Sequence, residues 1–531
     1  MAPTKNYLLP FLDYSIVLVL STFFLILYKL KIGINKRRAF VNQFPGPNLL
    51  PIIGNGHQMI FKPTDFYKWS SDMCKRWGDP MRLWCFDLPV FLISSFETAS
   101  QLLSNPNFVA KSKDIDMFWR QEGGNGISSS PAHIHQSRKK LLLPGYSRQI
   151  VERSVDIFTE ESKNLVKKLE AYAKSGSSFE GVCVLMPSSF RIICRSAFGD
   201  SLMSERNDTE ALEQMHSLHT ISINFANRIM SPFLWIKNDF IYFNLTKEGS
   251  YTTKCKNIIN SFGTEAINRR RREILENKNN HESNHGAKEL NHNETEENVL
   301  RLPPPCYLDM LLEIHEKGGL KDSEILGELN NYIAAGYDTT ALAVAWALFA
   351  LALNPMHQEK IFKEVDEIIG PGTPLSDAVI TAADTKQMKY LELCIKESMR
   401  MFPTSPVLPR STTDNMPLKD GRVIPAGSDV LIMVHLMHKD PKYFPNPEEF
   451  MPERHLKPIP AFIPFSVGGR NCIGQMYAMY QIKVELACLI REFVWETSDK
   501  PETLPCLFQG LLAPAKGIQF RIKRRLSCKS G

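Results

Sequence analysis

Apolar positions recur at spacings of three and four along most of the chain, most plainly between residues 150 and 265, which predicts helices with one buried face. A longer helical pattern runs from about Asp322 to Asn354 and is stopped by Pro355. Another begins after Gly474. Extended segments are fewer: Thr404-Ser405-Pro406-Val407-Leu408-Pro409-Arg410 reads as a strand restricted by its prolines.

The periodicity breaks near the N-terminus. An apolar run from about Leu8 to Tyr28, followed by Lys29, Lys31, Lys36, Arg37 and Arg38, is long enough to span a bilayer and places the remainder of the chain in the cytosol. No small-residue cleavage site comes after it, so an uncleaved anchor over 1–30 is expected in preference to a signal peptide. The sequons at Asn207, Asn244 and Asn293 would then stay unmodified. Residues 31–52 form a basic linker that becomes proline-rich at Phe44-Pro45-Gly46-Pro47 and Pro51. One large domain, 53–531, completes the chain.

Within that domain, 269–300 shifts to Arg, Glu, Asn, His and Lys and reads as a disordered insertion. The aromatic stretch Pro232 to Tyr242 reads as core, substrate roof or membrane contact. The 531 residues are 43% hydrophobic and 23% charged, enough for one large core. A net charge of +6 suits an acidic partner or an anionic membrane and is too diffuse for nucleic acid. The 11 cysteines include no Cys-x-x-Cys pair, which points to a reducing compartment.

One cysteine stands apart. In Phe465-Ser466-Val467-Gly468-Gly469-Arg470-Asn471-Cys472-Ile473-Gly474 the glycines permit positive φ and close backbone approach, Arg470 brings a cation, Phe465 an apolar wall and the helix after Gly474 its positive end. This predicts an ionised, shielded thiolate, a ligand or a nucleophile, against the alternative of a buried structural cysteine. A second anomaly is Ala334-Ala335-Gly336-Tyr337-Asp338-Thr339-Thr340, poor helix chemistry in mid-helix. It is either a packing notch or a functional groove. Glu397 and Arg400, three apart, share one helix face.

These segments together resemble the cytochrome P450 family. Phe-x-x-Gly-x-Arg-x-Cys-x-Gly is similar to its haem-binding loop, Ala335-Gly336-x-Asp338-Thr339-Thr340 to its central-helix motif, and Glu397-x-x-Arg400 with Pro452-Glu453-Arg454 to its bracing triad. Ile463-Pro464-Phe465-Ser466, Cys472-Ile473-Gly474-Gln475 and His438-Lys439-Asp440-Pro441 look most like the microsomal family-4 clan, which includes fatty-acid omega-hydroxylases and many insect enzymes.

The resemblance implies a mainly α fold with a small β-rich subdomain, preceded by one N-terminal transmembrane helix, and makes 53–531 the haem-thiolate catalytic domain. It implies haem b bound through Cys472, with Phe465, Gly468 and Arg470 in the cofactor loop. Asp338 and Thr339 would pass protons to dioxygen, and Glu397, Arg400 and Arg454 would brace the haem loop, with His455 where an aromatic residue is common. Arg410 matches one propionate-binding position. His135 and Lys139 stand where the family carries the Trp and Arg of the other, and Lys lacks the Arg fork. Some family-4 members attach haem through a glutamate at the position of Ala335, so non-covalent haem is expected. Ala335, Val407, Leu408, Leu511 and Leu512 would line the substrate pocket.

The implied activity is insertion of one oxygen atom from O2 into a lipophilic substrate, a fatty acid, steroid, hormone or xenobiotic. Electrons would come from NADPH through a separate NADPH-cytochrome P450 reductase on the basic proximal side, with cytochrome b5 as a further donor. The site would be the cytosolic face of the endoplasmic reticulum membrane. Two alternatives stand beside it. The first is rearrangement or oxidative decarbonylation on the same fold. The second is a non-catalytic haem-binding membrane protein, against which Asp338 and Thr339 count.

Overall fold

The computed structural model describes residues 21–22 and 40–525, except 51–52, 60–61, 87, 109, 113–125, 201–207, 231–237 and 286–305. The anchor predicted over 1–30 therefore lies outside the described residues but for Ser21 and Thr22, and of the linker only 40–50 is described.

The helices that carry the argument are α1 (Phe96–Leu103), α2 (Ala132–Leu142), α3 (Val155–Ser175), α4 (Gly181–Phe198), α5 (Lys247–His285), α6 (Tyr307–Glu316), α7 (Asp322–Leu353), α8 (Lys389–Met401) and α9 (Gln475–Glu492). The centre is α7, whose predicted bounds hold to within a residue. Its alanines favour helix, the Glu324 carboxylate accepts the Lys321 N–H at 2.9 Å, and Pro355 opens the next helix after it ends. From Ile325 to Leu351 it is buried around most of its circumference, as a helix packed on all sides must be. A Cβ at Gly336 would lie 2.5 Å from Ile193 Cδ1 of α4, so this glycine is the packing notch that lets α4 approach.

The β-rich part holds a four-stranded sheet of β1 (Met81–Cys85), β2 (Leu88–Ile93), β3 (Leu408–Ser411) and β4 (Asp429–Ile432) in the order β1-β2-β4-β3. Strands β2 and β4 run parallel; the other pairs are antiparallel, with Arg410 opposite Val430. A hairpin of β5 (Cys506–Phe508) and β6 (Leu512–Pro514) sets Leu512 opposite Phe508. Among the described residues, α4 and α7 are apolar and long enough to cross a bilayer, yet both are mostly buried in the core, 61% and 78% of their apolar stretches respectively.

Two sequence expectations change here. The first part of the supposed disordered insertion, Arg269–His285, continues α5 as helix. Its charges find partners that composition does not reveal: Arg270 pairs with Asp309 of α6 at 2.6 and 3.0 Å, and Arg271 with Asp322 at the start of α7. The aromatic stretch ending at Tyr242 is divided: Tyr242 is buried, while Phe240 is 71% exposed.

Candidate active site

A cavity of about 790 Å3 lies between α7, β3, the β5–β6 turn and the cysteine loop. Ala334, Ala335, Asp338 and Thr339 of α7 form one wall, and Thr404, Val407, Leu408 and Leu511 the other; Phe465, Cys472 and Ile473 form the floor. At its outer end it reaches Ile53, His57 and Phe86. The lining is dominated by aliphatic and aromatic side chains, with polar groups at few points, the character of a site for an apolar ligand.

The floor loop is closed by its own backbone. The Cys472 N–H donates to Phe465 O at 2.9 Å, Asn471 N to Gly468 O at 3.2 Å and Ser466 N to Ile463 O at 3.0 Å. Gly468 has φ +80°, and a Cβ there would lie 2.1 Å from the Leu103 carbonyl of α1, so only glycine fits. The other left-handed residue is Ser466, φ 60°, and not Gly469.

The Cys472 sulfur is open to the cavity and otherwise enclosed by protein. Burial pushes its pKa up, and the Gly474 backbone and the nearby Lys139 ammonium only partly offset this. Burial thus opposes the ionised thiolate that the sequence suggests, and the Gly474 backbone and Lys139 favour it. Among the described residues no three His, Cys, Asp or Glu side chains gather as a metal site.

Cations crowd the cavity beside the loop. Arg410 and Arg470 line it, as does Lys111, which sequence reasoning missed. The Lys111 segment is held against β3 by the Ser411 N–H donating to Ala110 O at 3.0 Å. Arg410 is buried, its Nε has no hydrogen-bond partner among the described residues, and burial beside Arg470 lowers its pKa to about 10. Arg470 donates to the Ser130 carbonyl at 2.6 Å. His135 lies close enough to Arg470, Lys139, Lys111 and Arg410 that burial and their charges drop its pKa to about 3. These cations hold His135 neutral.

His135 and Lys139 do not themselves line the cavity. Lys139 Nζ instead bonds Asn471 Oδ1 at 2.5 Å and Gly469 O at 3.2 Å, tying α2 to the cysteine loop. On α7, Ala335 faces the cavity, and the Thr339 hydroxyl donates to its carbonyl at 2.7 Å. The Asp338 carboxyl is buried, which raises its pKa to about 7 against the pull of neighbouring backbone N–H groups.

The Glu397–Arg400 pair is wholly buried, with two bonds of 2.9 Å. Arg454 Nε donates to Glu397 Oε1 at 3.0 Å, and His455, the departure from an aromatic residue, donates its Nε2–H to Oε2 at 2.9 Å. Burial favours the neutral acid, but the His455 and Arg400 bonds outweigh it and hold Glu397 at about 2. From here the network reaches the loop: Arg400 donates to the His438 carbonyl at 3.0 Å, and the Ile463 N–H donates to His438 Nε2 at 3.0 Å. The His455 ring also packs on Phe462, centroids 4.6 Å apart.

Of the expected pocket residues, Ala335, Val407, Leu408 and Leu511 line the cavity and Leu512 does not. Leu512 is buried in the core, with its N–H on Thr404 O and its carbonyl accepting from Trp346 Nε1, each at 3.0 Å. The alternation of side chains in β6 turns it away from its neighbour.

Comparison with known proteins agrees with this geometry. The family profile Cytochrome P450 matches residues 44–522. Cytochrome P450 4c3 of Drosophila melanogaster is 30% identical over 511 residues, 92% of each chain. Human cytochrome P450 4V2 is 31% identical over 482 residues, 88% of each. Cytochrome P450 4c21 of Blattella germanica is 32% identical over 502 residues, 92% of this chain and 95% of the relative. The family match, the family-4 relatives and a cysteine loop beneath a cation-rimmed apolar cavity lead to one assignment: the chain belongs to the cytochrome P450 family of haem monooxygenases.

Proposed function

We propose that the cavity holds non-covalent haem b over Cys472 and hydroxylates a lipophilic substrate with electrons from a separate NADPH-dependent reductase. Arg410 carries the fit: a buried guanidinium whose Nε has no partner among the described residues, beside Arg470 and Lys111, suits the carboxylates of a porphyrin. Haem bound there would supply the activation of dioxygen and the positive charge that ionises the Cys472 sulfur.

The chain's own groups divide the remaining work. Arg410, Arg470 and Lys111 neutralise the propionates. Lys139 fixes the loop, and His135 sits behind it as a neutral donor. Asp338, which holds a proton near neutral pH, and the Thr339 hydroxyl deliver protons from the α7 wall. Ala335 puts no carboxylate at the position from which some family-4 members bond the haem covalently. Val407, Leu408 and Leu511 hold the apolar substrate and exclude water.

The reductase and cytochrome b5 would dock on the proximal side, and the N-terminal segment would anchor the domain to the endoplasmic reticulum, facing the cytosol. The test is reductase-dependent turnover in labelled dioxygen over a lipid and drug panel: hydroxylation adds one labelled atom to the product. Rearranged or decarbonylated product would point to the alternative chemistry. Acid-acetone treatment should strip the haem completely.

A further inference from the structure

Four tyrosines converge at one edge of the cavity. Tyr307 and Tyr332 stack with centroids 4.0 Å apart and planes 16° from parallel. Tyr146 lies 5.7 Å from Tyr307 and 5.8 Å from Tyr332, and Tyr477 lies 6.2 Å from Tyr332. Tyr146, Tyr332 and Tyr477 line the cavity, whereas Tyr307 sits behind them at the start of α6. Tyr146 reaches the cysteine loop itself: its Cε1 is 3.7 Å from where a Cβ on Gly474 would stand.

These rings come from four separate segments, so no local periodicity explains their meeting. Phenylalanine would fill the same space. A buried phenol carries a polar group that must find a partner, and such groups in an apolar core are costly when they do not contribute something else. Here the Tyr477 hydroxyl bonds Ser196 Oγ at 2.7 Å. The Tyr146 and Tyr307 rings meet edge to face, and Glu328 lies near both. Glu328 Oε2 accepts the Ile127 N–H at 2.9 Å, while its Oε1 has no hydrogen-bond partner among the described residues, only the Arg138 charge at 3.2 Å.

We propose that this cluster is a one-electron relay that draws oxidising equivalents away from the haem site to the Tyr307–Tyr332 pair when oxygen is activated without substrate in place. The inference rests on the haem reading above. Each tyrosine that is oxidised loses one electron and its hydroxyl proton toward the cavity, leaving a neutral phenoxyl radical. With hydrogen peroxide as oxidant, one peroxide accepts two electrons and two protons from two tyrosines and becomes two waters. The relay thereby spares the porphyrin and Cys472.

The experiment uses substrate-free holoenzyme, first shown to give the thiolate-type carbon monoxide spectrum, so that failure of the haem reading is seen separately. Peroxide is added and the sample is freeze-quenched for electron paramagnetic resonance, with parallel recording of Soret bleaching. The wild type should give a radical whose hyperfine pattern narrows when ring-deuterated tyrosine is incorporated. The double variant Tyr307→Phe, Tyr332→Phe should lose most of that signal and bleach severalfold faster, while Tyr172→Phe, outside the cluster, should match the wild type. If the double variant loses its haem, Tyr332→Phe alone, which removes a single oxygen atom, serves in its place. A signal indifferent to deuterated tyrosine, or a variant with wild-type radical yield and bleaching rate, would overturn the relay.

Discussion

Lys139 Nζ stands 2.5 Å from Asn471 Oδ1, one residue before Cys472, so α2 clamps the loop that carries the sulfur. The family resemblance implies a propionate for this position, and its ammonium bonds the loop as well. Lys139→Ala should therefore raise the rate at which holoprotein gives up haem to apomyoglobin by roughly tenfold, the equivalent of a charge-assisted bond of about 1.5 kcal/mol. Lys139→Arg, which keeps the charge, should recover most of the retention. An unchanged rate in the alanine variant would remove Lys139 from the loop's support.

Arg410 makes a two-sided prediction. A buried guanidinium with an unpaired Nε destabilises the protein lacking haem and stabilises the protein holding it. Arg410→Leu should raise the melting temperature of the apoprotein and weaken haem binding in a reconstitution titration. If both quantities fall together, the residue is an ordinary packing element.

Glu397 predicts the acid limit of the fold. Its carboxyl titrates at about 2 in the folded chain, below the ordinary range near 4.3. A depressed acid contributes stability that is complete above the unfolded value and lost as pH falls toward 2. Denaturation monitored by Trp fluorescence should show this loss between about pH 4.5 and 2. Glu397→Ala, which leaves Arg400 buried without its partner, should cost about 3–5 kcal/mol at neutral pH and lack that acid-sensitive component. His455→Phe should cost only about 1 kcal/mol, since one hydrogen bond goes and the contact with Phe462 stays.

Asp338 predicts the opposite slope. Its folded pKa, raised to about 7, means that the carboxyl keeps its proton below neutrality and loses it above. Product formed per NADPH consumed should fall as pH rises through about 7. The contribution of this group to stability should decline from about pH 4 up to about 7, because the unfolded carboxyl gives up its proton before the folded one does. Asp338→Asn should lower turnover on the order of a hundredfold and flatten both dependences.

Much of this site was legible in the residue order because short-range chemistry determines it. The loop around Cys472, the bounds of α7 and the Glu397–Arg400 pair each follow from local spacing, capping and turn requirements. The features that escaped depend on contacts between distant segments. Gly336 is a glycine because Ile193 of α4 approaches it, and Gly468 because the Leu103 carbonyl of α1 does. Lys111 reaches the cavity through one backbone bond to β3, and Leu512 is turned inward by the register of its hairpin. Arg270 and Arg271 read as disordered by composition and are ordered by Asp309 and Asp322. The ionisation of Cys472, expected from its loop, is opposed by burial, which only the folded chain reveals.

Cys472 as the iron ligand is tested most directly by the carbon monoxide difference spectrum of the reduced protein. Wild-type protein should show the thiolate-type band, and Cys472→Ser should lose it while keeping the far-ultraviolet helical signal of the folded domain. A Cys472→Ser protein that retained the thiolate-type band would contradict the assignment at its centre.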